Sequence, residues 1–223
     1  MNITTDMQSI NNLPIVNPFS NKIINNRLSI PSRNLNNELY LNIKYNIKKK
    51  YEGRTIKYGY ISKIYRLIKY ENNYVEINNL DCNPFFFVKF SARICNPIIN
   101  TIIITKVTKI NKNFIVSENG PITCIIKTNQ INLNNFNVNN KGDIVYTKNN
   151  SVLKIGNHVI VKIIGVQFVV GDERIIIISS LEDLATKEIV NKFYIQDHNT
   201  EKIDEINDIE SLDTIETSDE EEI

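Results

Sequence analysis

Thr101–Lys127, TIIITKVTKINKNFIVSENGPITCIIK, reads as three short strands joined by two tight turns. Ile102, Ile103, Ile104 and Val107 belong to the first strand, Phe114 to Val116 to the second, and Ile122 to Ile126 to the third. Asn111-Lys112-Asn113 and Asn119-Gly120-Pro121 supply the turn residues between them. Short β-branched runs punctuated by Asn and Gly predict a β-meander. Core packing accounts for the isoleucines. It does not account for Lys106, Lys109, Lys112 and Lys127 sharing one small sheet.

Lysines and one aromatic, Phe114, on short strands suit the first half of an OB-type barrel, a fold that binds single-stranded nucleic acid on an open face. Lys162 extends the basic set on a later strand, where Val159, Val161 and Ile163 alternate with Ile160, Lys162 and Ile164. Gly165 predicts a bulge in that strand, and Gly171-Asp172 a hairpin turn before a last strand at Arg174 to Ser179. Between the two halves, 128–150 is polar and Asn-rich, with one short strand expected at 143–147. Leu181 to Tyr194 reads as a short helix.

Upstream, Cys95-Asn96-Pro97 is the expected domain junction. Residues 1–18, with Pro14 and Pro18 and no period, predict a flexible extension, and Asn21 to Ile30 a first strand that Pro31 ends. Leu35, Leu39, Ile43, Ile47 and Tyr51 recur every fourth residue and predict a helix capped by Asn34 and stopped by Gly53. Arg54 to Tyr70 follows as a long strand in which Gly59 predicts a bulge or a close backbone approach, then a short strand at Tyr74 to Ile77. The run Phe85-Phe86-Phe87-Val88-Lys89-Phe90 is a strongly apolar strand that could stack bases, as in sheets of the RNA-recognition type, but its consecutive aromatics must point to both faces, so most of them belong to a core.

The net charge of +1 conceals an asymmetry. Residues 196–223 hold twelve Asp+Glu and one Lys. Subtracted from totals of 26 Lys+Arg and 25 Asp+Glu, this leaves 25 against 13 in residues 1–195, a net of +12. A basic body points to a polyanionic partner. The acidic tail cannot bury enough apolar surface to offset its chain entropy and is expected to be disordered, either screening the basic body or remaining a solvated terminus that interacts with nothing. The dominance of Asn, Ile and Lys matches AT-rich coding and inflates both Asn-rich loops and lysine patches. Cys82, Cys95 and Cys124 include no CxxC pair and predict no metal site or disulfide framework. No phosphate-binding glycine motif and no HExxH are present, and His158 sits in an apolar strand. No catalytic residues, cofactor or membrane association are expected.

Three stretches in order carry a resemblance: YGYI at Tyr58 to Ile61; the run from Phe85 through the meander; and LKIGNHVIVKIIGV followed by IIIISSLEDL. Over roughly residues 20–184 the chain resembles the seventh-largest subunit of eukaryotic RNA polymerase II and its archaeal counterpart. It departs from that family at Pro97-Ile98-Ile99-Asn100-Thr101 and at Glu71-Asn72-Asn73, as a divergent member would. The composition fits a large DNA virus or a protist. The resemblance implies an α+β chain: a ribonucleoprotein-like tip domain over 19–95, an OB-fold barrel over 96–184, and a short helix with the acidic tail over 185–223. It implies a non-catalytic stalk subunit whose partners are the polymerase core, a small helical subunit and nascent single-stranded RNA. Tyr58, Gly59, Tyr60, Asn72 and Asn73 would meet the core. Lys106, Lys109, Lys112, Phe114, Lys127 and Lys162 would meet RNA. The place would be the transcription machinery: nucleus, or, for a virus, infected cytoplasm and virion. The other reading is a free-standing OB-fold RNA-binding factor, which has no need of the region 21–90; a ribonuclease is opposed by the missing carboxylate cluster.

Overall fold

The computed structural model describes residues 14–72, 83–139 and 143–194. The expected strand at Tyr74 to Ile77, Asn73 and the acidic tail lie outside them. The chain divides into two compact units, one formed by Phe19–Cys95 and the other by Asn96–Tyr194 with the described residues before Phe19.

The first unit is a sheet of β1 (Phe19–Ser29), β2 (Thr55–Ile56), β3 (Gly59–Asn72) and β4 (Phe85–Cys95), with α1 (Leu39–Tyr51) packed against one face. The spatial order is β1-β4-β3-β2, all pairs antiparallel. Period-2 alternation on β4 sends Phe86, Val88, Phe90, Ala92 and Ile94 inward, where they meet Ile43 and Ile47 of the helix stripe. Each such side chain taken from water contributes roughly 1.5–3 kcal/mol. Two phenols fasten the helix: Tyr51 Oη donates to the Arg27 carbonyl at 3.2 Å and Tyr40 Oη to the Leu67 carbonyl at 3.3 Å.

Two local expectations are corrected here. The helix starts at Leu39, not Leu35, because a 3-10 turn at Ser32–Asn34 precedes it and leaves Leu35 exposed. Asn36, rather than Asn34, receives the Glu38 N–H on its side chain, at 3.1 Å. Gly59 is not a bulge. Its φ of 126° makes the tight return between β2 and β3, with Ile56 opposite Gly59 and Thr55 opposite Tyr60.

The second unit is built on a closed barrel of β5 (Ile102–Ile110), β6 (Phe114–Asn119), β7 (Ile122–Ile131), β11 (His158–Gln167) and β12 (Ile175–Leu184). Its order is β11-β12-β7-β6-β5, closed by an antiparallel β5–β11 pair. The β7–β12 pair is parallel and the other four are antiparallel. This barrel fits an OB-like fold. The register shift between Ile163 and Gly165 coincides with the expected bulge. Ahead of β1, Ile15 bridges Ile102 and Val16 N–H donates to the Ile102 carbonyl at 2.8 Å, so this end of the N-terminal stretch lies on the barrel.

The short strand expected at 143–147 is present as β9 (Ile144–Tyr146), and it pairs with two unexpected strands, β8 (Phe136–Val138) and β10 (Ser151–Val152), in a separate three-stranded sheet. Phe136 and Tyr146 pack their rings at 5.3 Å. At the other end β12 runs on to Leu184, and only 187–194 is helical. Leu181 is drawn into the strand because it points into the barrel opposite Val161 and Ile131. With strand replacing helix and loop in both places, the chain is predominantly β rather than evenly α+β.

Inside the barrel, one layer is small and polar: Thr105, Ser117, Cys124 and Ser179 are all buried. Thr105 Oγ1 donates to Ser117 Oγ at 2.9 Å. Burial pushes the Cys124 thiol from 9.0 up to about 12, against hydrogen bonding from Ser117 and Ser179. The folded thiol thus keeps a proton that the unfolded one releases above pH 9. This contribution is fully present below about pH 9 and is lost as pH rises toward 12. The Cys124→Ala variant should therefore lose less stability than the parent between neutral pH and about pH 10.5. Urea midpoints at both pH values measure it, and equal losses in the two proteins would contradict it.

Candidate nucleic-acid interface

β6 has an alternating pattern in which Ile115, Ser117 and Asn119 are buried while Phe114, Val116 and Glu118 are half-buried. Phe114 therefore lies on the outer surface of the barrel, not in its interior. It stands directly opposite Lys127 of β7. The β5–β6 turn brings Lys112 beside it, held by Asn111 N–H to the Phe114 carbonyl at 2.9 Å and Thr128 N–H to the Asn113 carbonyl at 3.2 Å. A register shift between Val107 and Lys109 sets Lys109 opposite Val116. Four of the six expected RNA-contact residues, Lys109, Lys112, Phe114 and Lys127, thus meet at one end of the meander.

Lys106 and Lys162 stand apart from that group. Lys106 is one strand-width from Glu118 on one side and His158 on the other. Glu118 faces it but accepts from Arg174 Nη1 at 2.8 Å. The His158 ring is 6.2 Å from Tyr194 in an edge-on arrangement, and its pKa is lowered, first by burial and then by Lys106. A neutral imidazole adds no charge to this part of the face. Lys162 is half-buried opposite Ile102 and Ser180. It is roughly 23 Å from the level of Lys109, counting seven strand residues at 3.3 Å.

None of the five lysines has a carboxylate partner among the described residues. Unpaired ammonium groups around a half-buried ring suit phosphate attraction beside base stacking. Sequence reading missed the outward aliphatics beside them: Val116 pairs with Ile125, and Ile176 and Ile178 of β12 are 42% and 39% exposed. The unbroken run IIIISS hides which isoleucines face out, since periodicity is silent in a continuous apolar stretch.

The expected core-contact residues fall at the two ends of β3. Tyr58 is exposed on the β2–β3 turn with Lys57 Nζ 4.7 Å from its ring centre, and Tyr60 is paired with Cys95. Asn72 pairs with Phe86 at the far end, roughly 30 Å away, counting nine residues of the partner strand β4 at 3.3 Å. Among the described residues no group of three or more His, Cys, Asp or Glu could hold a metal ion, and no helix is long and apolar enough to cross a membrane.

An OB-like barrel with a cluster of unpaired lysines defines a candidate nucleic-acid-associated protein. No family model matches the chain. It is similar, at 30% identity over 176 residues, to a protein of Acanthamoeba polyphaga mimivirus provisionally named as a DNA-directed RNA polymerase subunit. The match covers 78% of this chain and 87% of the relative. The chain belongs to this family of DNA-directed RNA polymerase subunits.

Proposed function

We propose that the chain is a non-catalytic stalk subunit of a multisubunit DNA-dependent RNA polymerase from a large DNA virus. The observation that carries this reading is the 30% identity sustained over 78% of the chain, across both compact units. The order of the units supports it: a helix-backed sheet first, an OB-like barrel second. In this reading the first unit docks on the polymerase core through Tyr58, Gly59 and Tyr60 at one end of β3 and Asn72 at the other, with Asn73, which lies outside the described residues, as a further contact. The barrel meets nascent single-stranded RNA through Lys109, Lys112, Phe114 and Lys127, with Lys106 and Lys162 on its margin. A small helical subunit completes the stalk. The protein then works in infected cytoplasm and is carried in the virion.

Affinity capture of the tagged full chain from the native source, followed by mass spectrometry, tests the assignment. The expected result is co-purification of the large polymerase subunits together with one small helical protein. Recovery of abundant intact chain without large polymerase subunits would overturn it.

A further inference from the structure

The face of the first sheet turned away from α1 has a different chemistry from the rest of the surface. Its strands are nearly free of acid. β1 carries two Lys/Arg, β3 three and β4 two, seven in all, against Glu71 as the one carboxylate. Cross-strand register places the outward groups in rows. Arg27, Phe87 and Glu71 form one row across β1, β4 and β3, and Asn25, Lys89 and Lys69 form the next. Lys69 and Lys89 are directly opposite one another, an arrangement that destabilises a sheet unless something answers the charge. Glu71 answers Lys69 at 2.6 Å. Lys89 has no carboxylate partner among the described residues.

The rings on this face are treated unequally. Phe85 is covered by the Arg27 guanidinium, 3.9 Å from its centroid, and Phe19 by Arg93 at 5.0 Å. Phe87, two residues from the start of β4, is 51% exposed and has no aromatic or cationic cover among the described residues. Around it lies an open groove of about 300 Å³, lined by Asn25, Asn26, Lys69, Glu71, Phe87 and Lys89. A single exposed phenylalanine is ordinary. A bare ring between Arg27 and Glu71 across the strands, with Lys89, Lys69 and the Asn25 amide in the next row, in a groove the size of a small ligand site, is a platform.

We propose that this face is a second contact for single-stranded RNA, distinct from the barrel lysines. One base stacks on Phe87, Asn25 meets its polar edge, and the adjoining phosphates lie over Lys89 and Lys69. Charge selects the occupant: with Arg27, Lys69 and Lys89 against Glu71 alone around the groove, this part of the face repels a basic protein segment and attracts a phosphate backbone.

The test uses the full chain and a fluorescent uridine dodecamer, read by anisotropy at low and moderate salt. Phe87→Ala should weaken binding roughly tenfold, Phe87→Trp should restore it, and Lys89→Ala should also reduce the salt dependence. A 4-thiouridine oligomer should crosslink to the peptide that contains Phe87. The two RNA readings separate cleanly. If Phe87→Ala binds like the parent while replacement of Lys109, Lys112 and Lys127 abolishes binding, the barrel reading stands and this one falls. If the parent binds no RNA, both fall. Unchanged RNA affinity in Phe87→Ala, together with loss of a co-purifying polymerase subunit, would make the face a protein-docking surface and also overturn the proposal.

Discussion

Replacing Phe90 with alanine is expected to cost the first unit about 3–5 kcal/mol, the range for emptying a buried aromatic site. Phe90 is fully buried on β4, the strand held between β1 and β3, with Ile24 and Leu67 as its cross-strand neighbours. Its ring stacks on Tyr51 of α1 at 6.2 Å and 18°. The site cannot collapse easily, since strands lie on both sides and the helix above is tied to the sheet by the Tyr51 and Tyr40 phenols. Phe87→Ala, on the same strand but facing out, should cost under about 1 kcal/mol. Hydrogen exchange measured over residues 19–95 reads both variants. Equal protection in Phe90→Ala and the parent would mean that the helix does not pack on the sheet as described.

Simultaneous replacement of Lys109, Lys112 and Lys127 by alanine should weaken single-stranded RNA binding about 100-fold near 0.1 M salt. Each phosphate contact contributes a slope of roughly −0.7 in log affinity against log salt, so three should lower the slope by about 2. All three side chains are exposed, and their removal leaves the barrel core untouched. Lys162→Ala is the internal control: half-buried and remote from the other three, it should change the slope little. A triple variant with the parent's slope would remove the meander end from the RNA interface.

Legibility in the sequence followed the regularity of burial. The meander was readable because its strands alternate and its turns carry Asn111 to Asn113 and Asn119 to Pro121, with Gly120 at a φ of 57°. The stripe Ile43, Ile47 and Tyr51 was readable for the same reason. Of the β8–β10 sheet only β9 was legible, since strands of two or three residues fill no periodic window. Its core, Phe136, Ile144, Tyr146 and Leu153, is scattered among asparagines. Leu181 and Leu184 mimicked a helical i,i+3 pair, and only tertiary pairing with β7 and β11 draws them into a strand. The grouping of Lys109, Lys112, Phe114 and Lys127 depends on which strands are neighbours, something no local spacing states. Phe87 was harder still: alternation says that it faces away from Phe86, but not that Arg27 would cover Phe85 and leave Phe87 bare.

The parallel β7–β12 seam governs when the barrel can exist. Ile175 pairs with Ile122, so β8, β9, β10 and β11 must all be synthesised before the edge of β7 finds its partner. The first unit has every strand by Cys95 and can fold while the ribosome is still translating the second. Until Leu184 emerges, β7 presents an unpaired edge with Ile122, Cys124 and Ile126 on its inner side, a template for another nascent chain. Non-local closure of this kind is also slow. The interval between β7 and β12 is the period in which a chaperone or an early-binding partner has most to protect.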